Sequence, residues 1–459
     1  MKETLFIVIS RGFLVRNILR SGILDLLVLR GYKIVIFIPR IRKINLPQSF
    51  RDEFESEQVI IEEVENVKLG RIYRKIFSPI VAFLVYTQTT WTFSLMGNVK
   101  NKKRANWRAY LEKWMYKPFS YVTFFKYIAR FVEQHVFRNN TYEKYFDKYN
   151  PSLVFSSSIV STVDILFMKE ARRRGIKTVS MPKGWDNIAK MFYKFVPDLL
   201  VVQNELMEEQ VPRVQCFSKS SVVSVGFPQF DYYVDAPLLS REEYCKLIGV
   251  DPKRKLIFFG SEGVWAPYDD AIVDILVKWL DEGVYDEDTT IIIRPHYSDV
   301  YNNRFVRFEN TPHVVLDPFF TLSNFFLDNW DPVRKDMEMF ANLLHHSDVL
   351  ITTTSTLTLD AACFDLPIIN IAFGILYKHG QDMSELFYKK DHYQWVLDTG
   401  AVDLVFNNKE LLSSINKYFG DPSIDQAQRK NLVNKVCYRD DGKSCERIVN
   451  SIEKLLAKK

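Results

Sequence analysis

Continuous apolar runs recur along the chain, and each is followed by a polar or glycine-containing break. Residues 5–10 (LFIVIS) and 33–39 (KIVIFIP) are almost wholly apolar, without regular polar alternation. Such a run is typical of a strand that is buried on both faces of a parallel sheet. Residues 13–30 have the spacing of one apolar helix, and residues 58–62 (QVIIE) predict a third strand. Strand, glycine turn, helix and strand form the opening unit of a doubly wound sheet.

The alternation of strands and helices resumes after an interruption at residues 70–150 and continues to the C-terminal end. Further strands are predicted at residues 153–158, 177–181, 199–202, 221–225, 255–260, 289–293, 313–316, 348–352, 368–371 and 402–406. Helices are predicted at residues 162–174, 204–210, 267–282, 335–346, 356–364, 408–419, 424–437 and 442–457. This alternation predicts an α/β protein with parallel sheets that carry helices on both faces. Because one hydrophobic core rarely exceeds about 300 residues, we expect two doubly wound domains.

Breaks at Gly226-Phe227-Pro228 and Asp251-Pro252 place the predicted hinge between the domains near residues 226–250. The predicted division is an N-terminal Rossmann-like domain at 1–228, a C-terminal Rossmann-like domain at 229–440 and a closing helix at 441–459 that packs back across the hinge. Residues 70–150 are predicted to be a helical insert in the N-terminal domain, rich in basic and aromatic residues.

The insert contains an uncharged stretch followed by a basic one. Residues 76–99 are long enough to span a bilayer, but Pro79, Gln88 and Asn98 favour a buried or membrane-surface segment. Residues 99–117 combine the cations Lys100, Lys102, Lys103, Arg104 and Arg108 with Trp107, Trp114 and Tyr116. This composition predicts contact with an anionic membrane surface, and the alternative is a solvated basic face. A nucleic-acid patch would look similar, but nothing else in the sequence supports one.

Composition indicates the general class of protein and its cellular compartment. The chain has 459 residues, 47% hydrophobic and 25% charged, with a net charge of +5, which is ordinary for a folded protein. Five cysteines without a CxxC pair argue against a disulfide framework or a zinc site and favour a reducing compartment. The first apolar run is short, and Arg11 follows it without a cleavage site. We therefore expect no signal peptide and a cytoplasmic location, peripheral on the membrane if the basic stretch binds there.

The strongest chemical pattern is at residues 348–370, where a buried strand runs into five consecutive hydroxyl residues (TTTST) and then a helix. Hydroxyl side chains cap the N–H groups at the start of a helix, and the same N–H groups bind anions such as phosphate. Because doubly wound sheets bind ligands at the carboxyl ends of strands, we predict that Thr354, Ser355 and Thr356 bind a donor phosphate. Asp360 lies one turn further, on the helix face that leads toward a ribose. The alternative is plain capping with a solvated Asp360.

Two more strands of the second domain end in candidate donor-binding residues. Arg294 and His296 follow one strand; arginine offers bidentate phosphate contact, and histidine can donate to a phosphate or a leaving group. Gly260 and Ser261 follow another, where small residues let the backbone approach a ligand closely. The alternatives are an incidental surface loop and a bare turn.

A polar loop of the first domain, KGWDN at residues 183–187, also follows a predicted strand. Trp185 could stack on a sugar or a base, with Asn187 beside it. Asp186 could accept a proton from an acceptor hydroxyl and is the first candidate for the catalytic base, and Glu262 is the second. The alternative is that Asp186 and Asn187 cap a following helix.

The motifs that are missing argue against several reactions. The sequence has no GxGxxG after its first strand, no GxxxxGK[ST] and no HExxH. Nicotinamide redox chemistry, P-loop phosphoryl transfer and zinc hydrolysis therefore lose support, and we expect no metal or cofactor. The isolated histidines are interpreted as structural: His135, His313, His379 and His392.

These motifs resemble those of a known class of transferases. The run STLTLDAACFDLPII at residues 355–369 resembles the donor-binding helix of GT-B glycosyltransferases, a fold shared with the sugar-nucleotide 2-epimerases. RPH at 294–296 resembles the strand-end motif of bacterial surface-polysaccharide and teichoic-acid-type transferases. KGWDNIAK at 183–190 resembles the WDN loop of bacterial surface-carbohydrate biosynthesis proteins.

The resemblance implies two Rossmann-like domains that face a cleft, with the nucleotide on the C-terminal domain, the acceptor on the N-terminal domain and no required metal. It implies that Ser355 and Thr356 hold the diphosphate, that Asp360 holds the ribose, and that Arg294 and His296 offset leaving-group charge. Gly12, Trp185 and Asn187 would then contact the acceptor. The sequence departs from the pattern where Asp360 replaces a common glutamate and Asp365-Leu366 replaces Gly-Lys. The Arg11-Gly12 loop has no nearby carboxylate or histidine, so the catalytic base stays open.

The sequence therefore predicts a metal-independent glycosyltransferase that moves a sugar or related group from a nucleotide-activated donor to a cell-surface glycan or lipid-linked acceptor. One alternative is a nucleotide-sugar 2-epimerase, which needs no separate acceptor site. Another is a non-catalytic glycan- or membrane-binding scaffold. The KGWDN loop and the basic insert argue against the epimerase, and the intact set of donor residues argues against the scaffold.

Overall fold

The chain folds around two parallel β-sheets, one in each half. The computed structural model describes residues 3–41, 44–96, 114, 117–299, 303–378 and 380–458. The first sheet contains Thr4–Val8 (β1), Lys33–Arg40 (β2), Val59–Glu65 (β3), Leu153–Ser156 (β4), Lys177–Ser180 (β5), Leu199–Val202 (β6) and Val222–Ser224 (β7). Its strand order is β3-β2-β1-β4-β5-β6-β7, and all the neighbouring pairs are parallel.

The second sheet repeats this design. Its strands, with a small hairpin between them, are Lys255–Gly260 (β8), Thr289–Arg294 (β9), Val314–Leu316 (β10), Val349–Thr352 (β11), Ile368–Ile371 (β12), the hairpin Tyr377–Lys378 (β13) and Gln381–Asp382 (β14), and Asp403–Val405 (β15). The order is β10-β9-β8-β11-β12-β15, again parallel. The predicted fold class, two doubly wound parallel sheets, is confirmed, whereas the hairpin was not predicted.

The helices flank the sheets. In the first half they span Gly12–Leu14, Ile23–Leu29, Gln48–Phe54, Ser78–Ala82, Gln88–Met96, Thr123–His135, Glu143–Tyr149, Thr162–Arg173, Asn187–Lys190 and Glu205–Gln215. In the second half they span Asp231–Val234, Arg241–Ile248, Asp269–Asp281, Arg334–His346, Leu357–Cys363, Asp391–Leu397, Asn408–Gly420, Gln426–Leu432 and Ser444–Ala457. Short π-helical turns adjoin three of them at Val15–Leu19, Tyr73–Phe77 and Val433–Cys437.

Strand β1 shows why the apolar runs are continuous. Leu5 and Ile7 belong to the hydrophobic cluster on one face of the first sheet, and Phe6 and Val8 belong to the cluster on the other face. Because successive side chains of a strand point to opposite faces, burial of both faces requires an apolar residue at every position. The same reasoning applies to the other central strands of both sheets.

The first helix differs from its prediction. Residues 13–30 do not form one helix: the chain forms Gly12–Leu14 and Val15–Leu19, breaks, and becomes helical again at Ile23–Leu29. Gly22, at the break, has a φ of +111°, a left-handed conformation that favours glycine. Val15–Leu19 contacts the turn Pro228–Phe230, whereas Ile23–Leu29 packs against Ser444–Ala457.

The insert predicted at residues 70–150 is helical over much of its described length. The uncharged stretch at 76–99 contributes to two short helices, Ser78–Ala82 and Gln88–Met96. Within the described part of the chain, no helix is both long enough and apolar enough to cross a membrane. The basic stretch 99–117 lies outside the described residues except for Trp114 and Lys117, so its contact with an anionic surface stays a prediction.

The last helix joins the two halves of the chain. Helix Ser444–Ala457 packs against Ile23–Leu29 of the first half. Ile448 belongs to the same core cluster as Leu27, and at the rim Arg30 pairs with Glu453 at 2.8 Å.

The loop after β10 also reaches back to the first domain. Asp328 accepts hydrogen bonds from the backbone N–H groups of Gly12, at 2.9 Å, and Phe13, at 3.1 Å. Nearby, the buried guanidinium of Arg20 donates to the carboxylate of Asp331 at 2.6 Å. These contacts fix one side of the boundary between the domains.

Candidate active site

A cleft of about 350 Å³ lies between the two sheets at the carboxyl ends of their strands. Loops after β1 and β5 form its first wall, and loops after β8, β9 and β11 form its second wall. Doubly wound sheets bind ligands at this edge. The predicted site residues that line the cleft are Trp185, Asp186, Asn187, Ser261, Glu262, Arg294, His296, Thr354, Ser355, Thr356 and Asp360. The structure brings all of the predicted residues to the cleft wall except Gly12 and Gly260, while their chemical roles stay predictions.

The hydroxyl turn, residues 352–356, connects β11 to helix Leu357–Cys363. Thr354 accepts a hydrogen bond from Nζ of Lys390 at 3.1 Å, and Thr356 accepts one from Nε1 of Trp185 at 3.3 Å. The second bond crosses the cleft from the first domain. Thr356 stands at the N-cap position, but its side chain makes no capping hydrogen bond. The capping that the alternative interpretation required comes from Ser355 instead, whose Oγ accepts a hydrogen bond from the backbone N–H of Leu357 at 3.4 Å.

Asp360 is buried at the cleft and is not a solvated surface acid. It is 5% exposed, and its Oδ1 accepts a hydrogen bond from the hydroxyl of Tyr233 at 2.5 Å. Burial raises the pKa of Asp360 to about 6, while the charge of Arg16 and the Tyr233 bond act in the opposite direction. The carboxylate is therefore mainly ionised at neutral pH and can accept a hydrogen bond from a ligand hydroxyl.

Arg294 lies at the predicted place in the cleft wall, but its guanidinium is already paired with a carboxylate. Its Nη1 pairs with the buried carboxylate of Asp317, and its guanidinium lies 4.5 Å from the ring centre of Phe340. A ligand phosphate would share this cation with Asp317. Arg294 is thus a fixed, partly neutralised charge in the cleft wall.

His296 is neutral at physiological pH. Burial, together with the charge of Arg304, lowers the pKa of His296 to about 4. Its Nδ1 lies 2.8 Å from Oγ of Ser298, which fixes the orientation of the ring. The expectation that His296 offsets charge near neutral pH is therefore replaced by that of a neutral hydrogen-bonding group.

Ser261 and Gly260 have structural contacts within the second domain: Ser261 is hydrogen-bonded to two carboxylates, and Gly260 lies against a helix. Oγ of Ser261 lies 2.7 Å from a carboxylate oxygen of Asp299 and 2.8 Å from one of Asp269, and both carboxylates pair with Arg304. A Cβ on Gly260 would lie 2.3 Å from a methyl group of the helix after β11. We correct the expectation for Gly260: it lets this helix pack on β8 and does not line the cleft.

Trp185 is buried in the first wall. Its side chain is 4% exposed and meets the ring of His392 edge-on, with 4.8 Å between the ring centres. Since its indole N–H already bonds to Thr356, Trp185 bridges the two walls. Little of its face is free to stack on a sugar, which differs from the sequence-based expectation.

Asp186 is held in an ion pair. Nδ2 of Asn187 donates to its Oδ1 at 2.6 Å, and Nζ of Lys190 donates to its Oδ2 at 3.0 Å. Burial would raise the pKa of Asp186, but Lys190, His392 and Lys183 outweigh burial and hold the pKa well below its usual value. Asp186 precedes helix Asn187–Lys190 without capping it through its side chain. It is therefore a fully ionised but weak base.

Glu262, on the opposite wall, is shifted the other way. Burial raises the pKa of Glu262, and this effect exceeds the lowering by the charge of Lys390 and by a hydrogen bond with Ser355. A pair of carboxylates whose pKa values are pushed apart by their surroundings is typical of sites that divide acid and base roles. Of the two, Glu262 has the pKa that is closer to neutral pH.

Gly12 lies beneath the first wall. Its N–H donates to Asp328, and a Cβ there would lie 1.6 Å from the carbonyl oxygen of Trp330. The expectation that Gly12 contacts the acceptor is therefore corrected, because the second domain covers it. Other residues of the same segment line the cleft instead: Phe13, Arg16 and Asn17.

Sequence reasoning missed most of the basic residues and one histidine. Lys183 and Lys190 line the cleft, and Lys390 lies behind Thr354. His392, which was interpreted as structural, also lines the cleft, and burial lowers its pKa to about 3. Lys183 and Lys190 are the first and last residues of the KGWDNIAK motif, so this motif could have predicted them as cleft residues. No local signal connects residues 390 and 392 with the donor motif.

The arrangement is suited to an anion. Five cations lie in or directly behind the walls: Arg16, Lys183, Lys190, Arg294 and Lys390. The carboxylates there are Asp186, Glu262, Asp360 and Asp317, the last of which pairs with Arg294. Burial lowers the pKa of Lys390 to about 8, with Glu262 acting in the opposite direction, so this lysine is still mainly charged at neutral pH. Among the described residues, no group of three or more His, Cys, Asp or Glu is arranged to hold a metal ion.

Two Rossmann-like domains that face such a cleft define the GT-B fold, as predicted. The chain is similar to a glycosyltransferase from Rickettsia africae ESF-5, with a TM-score of 0.54 and 11% identity over 100% of both chains. It is similar to the UDP-GlcNAc 2-epimerase from Neisseria meningitidis bound to UDP-GlcNAc (TM-score 0.57, 10% identity, 98% of this chain and 100% of that chain). It is also similar to the wall teichoic acid polymerase TagF (TM-score 0.52, 12% identity, 99% and 88%). At these identities the likeness shows the fold alone.

The family is shown by sequence. The model of the CDP-glycerol:poly(glycerophosphate) glycerophosphotransferase family matches residues 190–454, which is more than half of the chain. The chain belongs to this family of transferases. No curated protein matches the chain. The resemblance to teichoic-acid-type transferases that the RPH motif indicated is confirmed.

Proposed function

We propose that the chain transfers an activated group from a nucleoside-diphosphate-linked donor to a hydroxyl group of a cell-surface glycan or lipid-linked acceptor. The observation that carries the proposal is the convergence of cations from both domains beside the hydroxyl turn. Arg16, Lys183 and Lys190 come from the first domain, and Arg294 and Lys390 come from the second. A donor diphosphate carries the charge that this arrangement neutralises. The family supports CDP-glycerol as the first donor to test.

In this proposal, the donor phosphates lie against the hydroxyl turn and the ribose hydroxyls bond to Asp360. Thr354 and Thr356 accept hydrogen bonds from other side chains, so their own hydroxyl protons are left to donate to a phosphate, whereas Ser355 already shares a hydrogen bond with Glu262. His296 is neutral and donates a hydrogen bond to the leaving group without adding charge.

The reaction for a CDP-glycerol type of donor is displacement at phosphorus. The acceptor oxygen bonds to the phosphorus that carries the glycerol, and the bond from this phosphorus to the bridging oxygen of CMP breaks. CMP leaves with the bonding electrons, and the acceptor proton passes to a carboxylate and then to water. With a sugar donor, the acceptor oxygen attacks the anomeric carbon, and a nucleoside diphosphate leaves. The released nucleotide therefore distinguishes the two reactions.

Glu262 is the general base in this scheme, ahead of Asp186. A base works best when its pKa lies near the operating pH, and burial shifts Glu262 in that direction. Both carboxylate oxygens of Asp186 accept short hydrogen bonds from neighbouring side chains, which suits it to orient Lys190. A water molecule is the final proton acceptor for either choice.

Donor binding and product analysis test the proposal. Melting temperatures with CDP-glycerol, CMP and CDP-, UDP- and GDP-linked sugars identify the nucleotide, since a ligand that binds the folded state raises the melting temperature. The nucleotide released in the presence of acceptor, CMP or a nucleoside diphosphate, identifies the reaction. Arg16→Met should weaken donor affinity by about 10–100-fold, because a hydrogen bond to a charged group contributes about 1.5–3 kcal/mol. The matched control, Arg213→Met, changes an exposed arginine away from the cleft and should leave the affinity unchanged.

Two results would overturn the proposal. If no nucleotide-linked donor raises the melting temperature, the fold serves as a binding scaffold. If an epimerised sugar nucleotide accumulates without an acceptor, the chain is an epimerase of the same fold.

A further inference from the structure

Helix Thr123–His135 of the insert turns its polar side toward the protein. Lys126, Arg130 and Glu133 follow helical spacing and are only 5%, 8% and 2% exposed. Lys126 and Arg130 donate hydrogen bonds to the backbone carbonyl groups of two adjacent residues, at 2.8 and 2.6 Å. Since a buried cation without such partners is costly, these bonds fix the orientation of the helix.

The apolar side of the same helix faces outward. Phe124, Tyr127, Ile128 and Phe131 have the spacing i, i+3, i+4 and i+7, and they are 65%, 57%, 42% and 63% exposed. A helix on the surface of a globular protein normally buries this stripe against the core. The helix is therefore inverted relative to a surface helix in water.

A second exposed row lies beside it. Ile72, Ile76 and Ile80 recur at every fourth residue and are 67%, 55% and 53% exposed. The two segments are in contact, because the hydroxyl of Tyr73 donates to Glu133 at 2.8 Å. We call the three isoleucines and the four outward residues of helix Thr123–His135 the apolar face. Exposed apolar rows on two neighbouring segments mark an interaction site.

Within the two segments that carry the apolar face, the exposed charged side chains have one sign. In residues 66–96 and 117–138 the sequence contains one acidic side chain, Glu133, and this is the buried one. The exposed cations of the same two segments include Arg71, Arg74, Lys75, Lys117 and Arg138. Aromatic and isoleucine side chains flanked by cations, without an exposed acid, fit the headgroup and acyl boundary of an anionic bilayer.

We propose that the apolar face docks the protein on an anionic lipid bilayer, with helix Thr123–His135 lying along the membrane surface. Phe124 and Phe131 enter the region below the headgroups, and the flanking cations contact lipid phosphates. This docking is independent of the proposed reaction.

Vesicle co-sedimentation of the full chain tests the surface. We expect binding at low salt to vesicles of phosphatidylcholine with phosphatidylglycerol, weaker binding to phosphatidylcholine alone, and release by salt. The double variant Phe124→Ser/Phe131→Ser should bind at least about tenfold more weakly, because two partly exposed rings lose their transfer into the bilayer. The control Leu29→Ser/Leu247→Ser replaces two exposed leucines outside the apolar face, 81% and 54% exposed, and should bind like the unmodified chain.

The outcomes are separable from folding and from donor binding. The replaced side chains are exposed, so the melting temperature and its increase with donor should stay unchanged in the double variant. Absence of binding to anionic vesicles, or equal binding by the double variant, would overturn the proposal. A dimer in solution that the double variant abolishes would assign the face to a second copy of the chain and would also overturn it.

Discussion

The buried cation Lys390 provides a direct test of which carboxylate is the general base. Its Nζ donates to Thr354 at 3.1 Å, and the residue is 8% exposed. After burial, its charge is the largest influence on the pKa of Glu262, and it acts to lower that pKa. Lys390→Met keeps most of the apolar stem and removes the charge. We therefore expect the pKa of Glu262, already raised by burial, to rise further in this variant.

The expected change in the pKa of Glu262 follows from the loss of the positive charge of Lys390. An opposite charge close to a carboxylate lowers its pKa by about 1–3 units, so its loss should raise the pKa of Glu262 by the same amount. This corresponds to about 1.4–4 kcal/mol of interaction free energy. A general base acts only when it is deprotonated, so the acid limb of kcat/KM should move upward by about 1–3 pH units. At pH values well above this limb, kcat at saturating donor should approach that of the unmodified enzyme, while kcat/KM stays lower because Lys390 also belongs to the donor-binding cations.

The assay is nucleotide release measured across the acid and neutral range for three proteins. Lys190→Met is the matched comparison, because Lys190 pairs with Asp186 at 3.0 Å and is the main charge that lowers the pKa of Asp186. If Glu262 is the base, Lys390→Met moves the acid limb more than Lys190→Met does. An active Lys390→Met enzyme with an unmoved acid limb would refute the assignment, and a larger shift in Lys190→Met would favour Asp186.

Three further predictions concern stability and closure of the cleft. Asp328→Ala leaves two backbone N–H groups without their acceptor and should lower the free energy of unfolding by about 2–4 kcal/mol in chemical denaturation; an unchanged value would contradict the role of this carboxylate. Burial raises the pKa of Asp164 from 3.8, its value in an unfolded chain, to about 7. The stability that this carboxyl contributes is therefore complete below pH 3.8 and is lost as the pH rises through about 7. Asp164→Asn should remove this pH dependence of unfolding, about 4 kcal/mol, and an equally steep dependence in the variant would assign it to other groups. Trp185→Phe removes the indole N–H that bonds to Thr356 across the cleft and should weaken donor affinity by about 2–10-fold, measured by titration, with little change in melting temperature.

The central strands could be predicted closely because burial on both faces leaves a continuous apolar run. The predicted strands 33–39 and 255–260 correspond to Lys33–Arg40 and Lys255–Gly260. The break of the first helix at Gly22 was not predicted, because one glycine in an apolar helical pattern is also compatible with an unbroken helix. The hairpin after β12 is too short to leave a periodic signal.

The candidate-site residues that could be predicted from the sequence are those that closely follow the carboxyl end of a strand. Ser355 and Asp360 are on the cleft because strand ends of a parallel sheet converge, which the sequence pattern specifies. Lys390, which bonds to Thr354, and His392, which lines the cleft, were not predictable, since both lie at the start of helix Asp391–Leu397, where no motif connects them with the site. The pairing of Arg294 with Asp317 likewise depends on the position of the neighbouring strand.

The loop after β10 has a consequence for how the enzyme turns over. It anchors the second domain to the first through Asp328 and through the pair of Asp331 with Arg20. A domain rotation that separates this side of the boundary must break all of these bonds together. A rotation that pivots about the loop breaks none of them and opens the opposite mouth of the cleft. Under the proposed transfer reaction, we expect spent nucleotide to leave through that mouth.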